Sequence, residues 1–175
     1  MEITKNVCVL SFGSNIGESI KFIHSAFDEL SKNGQLVQIS PFYQSAPWGF
    51  ESENNFINCC AEFHTFLNPF ELLDCIIQIE KKLGRKSKTI EKNYSDRVID
   101  VDILFFNDLI INDERLTIPH PLYSKRNFVL FPLNDIFHTF VDPKTKLTVA
   151  YQKLNSGDKS PLEKINCEQN YTIKM

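Results

Sequence analysis

The chain has 175 residues, of which 42% are hydrophobic and 23% charged, and its formal net charge is −3. This length and composition predict one folded domain with a substantial core, and they exclude a disordered or fibrous chain. The acidic balance argues against a nucleic-acid-binding protein, because such domains are usually basic. No stretch approaches the roughly 20 consecutive apolar residues of a membrane-spanning helix, so we expect no membrane association.

The N-terminal half of the sequence alternates between strand and helix patterns. A buried strand is predicted over residues 7–12, and apolar residues at helical spacing predict a helix over 17–30. Two further strands are predicted over 36–43 and 55–65. An N-capping asparagine followed by proline begins a second helix, which runs over 68–84 and stops at a glycine.

The C-terminal half begins with a polar connector over residues 85–98, followed by a strand over 99–106 and a helix over 126–136. The element order βαββαβ matches the split βαβ, ferredoxin-like arrangement. We therefore expect an α+β sandwich in which helices cover one face of a mainly antiparallel sheet. This domain would occupy residues 1–155, because residues 156–175 lack a core pattern and read as a peripheral extension.

The strand over 99–106 carries a pair of acidic residues, Asp100 and Asp102, which lie on one face because strand side chains alternate. Paired carboxylates favour a cation between them, and hard oxygen ligands suit Mg²⁺. The segment from Lys81 to Arg97 carries a charge of +5, whereas the remainder of the chain carries −8. Metal and cations together are what phosphoryl transfer requires. An ordinary strand with an acidic outer face is the alternative.

The cysteine pattern indicates a reducing compartment. The five cysteines are an odd number with no CxxC pair, and Cys59 and Cys60 are adjacent in an apolar stretch. Such residues are usually buried thiols of intracellular proteins. We therefore expect free thiols and a cytoplasmic location.

Several residues near turns allow both a structural and a functional interpretation. Trp48, Phe56 and Phe128 could enclose a flat heterocycle, but most of the fifteen phenylalanines must belong to the core. His120 lies between two prolines, where a histidine is more often structural than catalytic. The turn at 13–17 matches neither GxGxxG nor GxxxxGK[ST]. Residue types alone thus indicate a Mg²⁺-dependent nucleotide enzyme without defining its reaction.

Seven segments, taken in chain order, resemble one known family. They are FGSN at 12–15, SAPWG at 45–49, FIN at 56–58, IE and GR within 79–85, RVIDVDI at 97–103, ERLTIPH at 114–120 and RNFVLFPL at 126–133. The family is 6-hydroxymethyl-7,8-dihydropterin pyrophosphokinase of folate biosynthesis. The resemblance implies the ferredoxin-like fold and transfer of the β,γ-pyrophosphoryl group of ATP to the pterin hydroxymethyl group, with AMP as co-product. We expect a monomer that uses two small-molecule substrates.

The resemblance also implies roles for individual residues. Four residues would be catalytic: Asp100 and Asp102 would hold two Mg²⁺ ions, and Arg85 and Arg97 would contact the phosphates. The pterin ring would stack between aromatic side chains while a carboxamide binds its polar edge. The implied ATP-binding residues are Glu80, Arg85, Arg97, Arg115, Thr117, His120 and Arg126. The implied pterin-binding residues are Ser45, Ala46, Trp48, Phe56, Asn58 and Phe128.

The chain departs from the family pattern in the connector. Ser87 stands where relatives usually have a second arginine, and Tyr94 stands where a tryptophan often precedes the loop arginine by three residues. The lysines beside Ser87 cannot reproduce a bidentate arginine, so this change bears on one phosphate contact and on loop closure.

Two other protein classes stay open. A nucleotidyltransferase or cyclase on a ferredoxin-like domain would also use paired aspartates and Mg²⁺, but it would release pyrophosphate instead of AMP. A non-catalytic small-molecule sensor would show no metal-dependent consumption of ATP.

Overall fold

The computed structural model describes residues 5–85, 95–165 and 171–173. The strands in these residues are β1 Asn6–Ser14, β2 Gly34–Ile39, β3 Phe42–Ser45, β4 Phe56–Thr65, β5 Asp100–Phe106, β6 Ile111–Asn112, β7 Thr117–Ile118 and β8 Leu162–Ile165. The helices are α1 Ser19–Leu30, α2 Pro69–Lys82, α3 Asn127–Phe137 and α4 Val149–Leu154, with a 3₁₀ turn at Tyr123–Lys125. None of the helices described is both long and apolar enough to cross a bilayer.

The main sheet follows the order β5-β1-β4-β3-β8, and β2 pairs with β4 in line with β3. All of these pairings are antiparallel. The predicted strand over 36–43 is therefore one broken strand, whose two parts pair with opposite ends of β4. The break falls at Ser40 and Pro41, where proline has no N–H to donate to a ladder. The βαββαβ order and this sheet confirm the ferredoxin-like α+β prediction.

Helices cover both faces of the sheet. On one face, Leu10 and Phe12 of β1 pack in the same cluster as Ile23 and Phe27 of α1 and the apolar side of α2. On the other face, residues of β1, β4 and β5 pack against α3 and α4 around Leu130. The prediction of helices on one face thus holds for α1 and α2. It did not include α3 and α4 on the opposite face, because periodicity alone does not show on which face a helix packs.

The N-terminus of α2 is capped by side chains. Asn68 accepts hydrogen bonds from the amides of Phe70 and Glu71, both at 3.0 Å, and Glu71 accepts from the amide of Asn68 at 2.8 Å. This is a complete capping box with Pro69 in the first helical position. Glu80, in the last turn of this helix, lies against β5.

The C-terminal residues add to the sheet. β8 pairs with β3 as an edge strand, with Ser45 opposite Leu162. Tyr171 packs its ring 5.0 Å from that of Phe27 and donates a hydrogen bond to Asp28 at 3.0 Å. The division of the chain at residue 155 stays a prediction.

Candidate active site

A cleft lies against three neighbouring strands of the sheet. Gly13 of β1 pairs with both Asn58 of β4 and Asp100 of β5, and Ser11 pairs with Asp102. The cleft encloses about 510 Å³, which includes space open to solvent. Its lining residues are Ser11, Phe12, Gly13, Ser45, Ala46, Trp48, Phe50, Phe56, Asn58, Arg97, Asp100, Asp102, Arg126 and Phe128. All six predicted pterin-binding residues and both aspartates therefore meet in one place.

Asp100 lies between two arginines. Arg85 Nη1 lies 2.5 Å from its Oδ1, and Arg97 Nη1 lies 2.5 Å from its Oδ2. Arg85 also donates to Glu80 Oε1 at 2.6 Å. Burial lowers the pKa of Arg85, but the charges of Asp100 and Glu80 outweigh this effect and hold the pKa above its ordinary value. Arg85 and Arg97 thus bring two guanidinium groups to Asp100, which lines the cleft.

Glu80 contacts protein groups at the base of this cluster. Its side chain is 1% exposed, and its Oε1 accepts the amide of Val101 at 2.9 Å in addition to the Arg85 guanidinium. Glu80 therefore joins the end of α2 to the beginning of β5, between the two aspartates.

Asn15 fixes the backbone at Arg97. Its Oδ1 accepts the Arg97 amide at 2.8 Å, and its own amide donates to the Arg97 carbonyl at 3.1 Å. Its Nδ2 donates to Asp96 at 2.7 Å, and Asp96 also accepts from Asn54 at 3.1 Å. Hydrogen bonds from Ser52 and Asn15 lower the pKa of Asp96. Asn15 was not among the predicted site residues, although it belongs to the FGSN segment.

A buried carboxamide lies at the end of β4. Asn58 is 2% exposed and donates to Ser45 Oγ at 3.0 Å and to the Tyr43 carbonyl at 3.4 Å. A Cβ atom at Gly13 would come within 3.3 Å of Asn58 Oδ1, so glycine leaves room beside this oxygen. These contacts fix the orientation of the carboxamide before any ligand binds.

Aromatic side chains line the rest of the cleft. Phe56 lies on β4 and Phe128 lies on α3. The Arg126 guanidinium lies 4.7 Å from the Trp48 ring centroid and 5.7 Å from that of Phe128. Phe50, which was not predicted, contacts Phe56 edge-on with centroids 6.1 Å apart. The cleft thus has flat apolar surfaces beside the charged group.

The remaining predicted residues lie at different distances from the cleft. His120 Nε2 is 3.8 Å from Asp102 Oδ2, and its Nδ1 accepts the amide of Leu122 at 3.2 Å. Arg115 instead pairs with Asp74 of α2 at 2.5 Å. Of the predicted ATP-binding residues, the described lining of the cleft includes Arg97 and Arg126 but not Glu80, Arg85, Arg115, Thr117 or His120. Ser87 and Tyr94, with the neighbouring lysines at 86, 88 and 92, lie outside the described residues.

The described lining of the cleft offers two carboxylates to a metal ion. Within residues 5–85, 95–165 and 171–173, no group of three or more His, Cys, Asp or Glu side chains is arranged to hold a metal. Asp100 and Asp102 provide two carboxylates in one cleft. This fits Mg²⁺, which commonly takes one or two carboxylates and completes its shell with water and substrate phosphates.

Comparisons with known proteins agree with this geometry. Residues 9–138 match the family model described as 7,8-dihydro-6-hydroxymethylpterin-pyrophosphokinase. The chain is 38% identical over 134 residues to 2-amino-4-hydroxy-6-hydroxymethyldihydropteridine pyrophosphokinase of Aquifex aeolicus, a match that covers 77% of this chain and 82% of that protein.

Two longer proteins are also similar. The chain is 40% identical over 150 residues to the folic acid synthesis protein FOL1 of Dictyostelium discoideum, which covers 86% of this chain and 22% of that protein. The crystal structure of wild-type HPPK-DHPS from Plasmodium falciparum has a TM-score of 0.70 at 17% identity, covering 86% of this chain and 44% of that chain, which shows a shared fold. The chain thus spans less than half the length of either protein.

The family model covers most of the chain, and the Aquifex relative is matched over most of its own length. The resemblance carried by the seven segments is confirmed. The chain belongs to the 7,8-dihydro-6-hydroxymethylpterin-pyrophosphokinase family.

Proposed function

We propose that this chain transfers the β,γ-pyrophosphoryl group of ATP to the hydroxymethyl group of 6-hydroxymethyl-7,8-dihydropterin, giving AMP and the pterin diphosphate. One observation carries the proposal: a single cleft places the paired aspartates and Arg97 beside an aromatic wall with a buried carboxamide. Phosphoryl transfer depends on positioning and charge neutralisation, and this arrangement supplies both to two adjacent ligands. Membership in the 7,8-dihydro-6-hydroxymethylpterin-pyrophosphokinase family supports the same reaction.

The aromatic part of the cleft would bind the pterin. Its ring would stack between Phe56 and Phe128, and Asn58 would hydrogen-bond its polar edge with the help of Ser45 and the backbone at Ala46 and Trp48. Asn58 is already oriented by two hydrogen bonds to protein groups. Little conformational entropy is then lost when the pterin binds.

The charged part of the cleft would bind ATP. Arg85, Arg97, His120 and Arg126 would contact the nucleotide, and Glu80 would support them through its contact with Arg85. The assignments of Glu80, Arg85, Arg115, Thr117 and His120 to ATP rest on the family resemblance, since the described lining of the cleft includes none of them.

Asp100 and Asp102 would hold Mg²⁺, and the family resemblance implies two ions. Bound Mg²⁺ neutralises phosphate charge and lowers the pKa of the attacking hydroxyl group. Both oxygens of Asp100 accept from arginines, so a cation at this carboxylate would be repelled by two guanidinium charges while Arg85 and Arg97 stay in place. We propose that the two arginines exchange Asp100 for the ATP phosphates, with which guanidinium groups form strong charge-assisted hydrogen bonds.

Two further proposals concern location and assembly. Among the described residues, Cys8, Cys59, Cys60 and Cys75 are free thiols, which is usual in the cytoplasm. Burial holds the pKa of the Cys59 and Cys60 thiols above the ordinary value, so neither is a reactive thiolate. We also propose that the protein is a monomer.

The metal assignment is tested by Asp102→Asn with Asp108→Asn as control, since Asp108 is exposed just after β5. Loss of a metal ligand should lower kcat roughly 1,000-fold at saturating ATP and Mg²⁺, about 4 kcal/mol of transition-state stabilisation. The control should keep wild-type turnover, and both variants should show the wild-type circular dichroism spectrum. Near-wild-type turnover of Asp102→Asn would refute the assignment.

A further inference from the structure

The segment at residues 156–165 lies outside the family match, which ends at residue 138, yet it contacts both sides of the proposed pterin site. Its first part contacts the N-terminus of α3, which carries Phe128. Its second part is β8, which pairs with β3, the strand that ends at Ser45.

Asp158 caps α3. Its Oδ2 accepts the Asn127 amide at 2.8 Å, and its carbonyl accepts Asn127 Nδ2 at 2.9 Å. The residue that begins the helix, Arg126, forms no side-chain cap of its own. The first amides of a helix need an acceptor, and a carboxylate there is further stabilised by the helix dipole. Asp158 therefore supplies from a distant part of the chain the cap that the local sequence lacks.

Asp158 is itself held in place. Its Oδ1 accepts the Ser160 amide at 2.8 Å, and its own amide donates to Ser156 Oγ at 3.3 Å. Burial raises the pKa of Asp158, but hydrogen bonds from Ser160 and Asn127 outweigh this effect and keep the pKa below its ordinary value. The capping carboxylate is therefore ionised at neutral pH.

The second part of the segment ties α3 to β3. Lys164 of β8 contacts Asp135 of α3 at 3.1 Å, and Asp135 accepts from Tyr43 of β3 at 2.7 Å. The segment at 156–165 thus connects the two elements that carry Phe128 and Ser45.

We propose that Asp158 is a positioning residue for the pterin site. By fixing Asn127 at the start of α3, it sets the direction of Phe128 and so its approach across the cleft to Phe56, whereas Arg126 precedes the helix and has its own contact with Trp48 at 4.7 Å. This inference rests on the proposed function, because it assigns Phe128 to the pterin wall. Asp158 itself is not among the residues described as lining the cleft.

The test compares three variants: Asp158→Ala, which removes the side-chain acceptors; Asp158→Asn, which keeps one acceptor oxygen for the Asn127 amide and loses the one that accepts from Ser160; and Glu163→Ala, which removes the same charge from an exposed position on β8. The KM for each substrate is measured with the other at saturation, and hydrogen exchange is followed at residues 127–130. Asp158→Ala should raise the KM for 6-hydroxymethyl-7,8-dihydropterin about tenfold and the KM for ATP less than twofold, and it should speed exchange at the Asn127 amide. Asp158→Asn and Glu163→Ala should stay within about threefold of wild type.

Two results would overturn the inference. One is an Asp158→Ala protein with unchanged pterin KM and unchanged exchange at residue 127. The other is an equal rise in both KM values, which would mean general loosening of the domain. Should Asp158→Ala not fold, failure of Asp158→Asn to keep the pterin KM and the Asn127 protection would equally refute the capping role. Failure of the proposed function looks different, since the wild-type protein would then form no AMP.

Discussion

Glu80 should stabilise the domain through its contacts with Arg85 and Val101, and two substitutions at this position should weaken these contacts to different extents. Glu80→Ala loses the hydrogen bond to Arg85 and leaves the Val101 amide without this acceptor, whereas Glu80→Gln keeps an oxygen that can accept from both groups and removes only the negative charge beside Arg85. Because Glu80 is 1% exposed, water does not readily replace the lost partner.

The magnitudes follow from the two contacts. A hydrogen bond to a charged group contributes about 1.5–3 kcal/mol, and a buried amide left unsatisfied costs about 1–3 kcal/mol. Arg85 keeps Asp100 at 2.5 Å, so its charge is not left unpaired. Glu80→Ala should then lower the free energy of unfolding by about 4 kcal/mol, and Glu80→Gln by about 1 kcal/mol, the difference between a hydrogen bond to a charged group and a neutral one. The Tm of Glu80→Ala should fall by about 8–16 °C for a domain of this size.

Urea denaturation at pH 7 and 25 °C measures both values, with Gln78→Ala as control because Gln78 is exposed on the same helix. The control should change the unfolding free energy by less than about 0.5 kcal/mol. A loss of under about 1 kcal/mol in Glu80→Ala, or equal losses in the two Glu80 variants, would refute the assignment of separate contacts to Arg85 and Val101.

Three further predictions follow from the site and its surroundings. Asn15→Ala removes the side-chain contacts to Arg97 and Asp96 and should lower kcat about tenfold at saturating substrates; an unchanged kcat would contradict its positioning role. Burial raises the pKa of Asp142, but hydrogen bonds from Tyr123 and nearby groups outweigh this effect and lower the pKa below 3.8. The ionised carboxylate therefore stabilises the fold above pH 3.8, and this stabilisation is lost at lower pH. Asp142→Asn should flatten the fall in urea midpoint between pH 5 and pH 3, and the wild-type slope in that variant would contradict this. A chelator should abolish AMP formation and excess Mg²⁺ should restore it, whereas turnover that persists in chelator would refute metal dependence.

Local sequence patterns predicted the parts of the fold that repeat along one element. The alternation of β5 placed Asp100 and Asp102 on one face, and both line the cleft. The cap of α2 was predicted because Asn68 and Pro69 adjoin the helix that they begin. β8 was not predicted, since an edge strand with its two middle residues exposed has no strong apolar pattern.

Contacts between distant residues could not be predicted in this way. Asn15 lies 82 positions from Arg97, and Asp158 lies 31 positions from Asn127. Each is a polar residue in a turn, where a side chain that caps its own turn and one that holds another segment have the same local pattern. The family resemblance supplied the predicted site residues, but it does not identify the residues that hold them in place.

Product analysis tests the central claim most directly. The purified protein is incubated with ATP, Mg²⁺ and 6-hydroxymethyl-7,8-dihydropterin, and the nucleotides and pterins are separated at several times. We expect AMP and a pterin diphosphate to form in equal amounts. Formation of ADP would contradict pyrophosphoryl transfer, release of free pyrophosphate would indicate a nucleotidyltransferase or cyclase, and an absence of nucleotide turnover would indicate a binding protein without this activity.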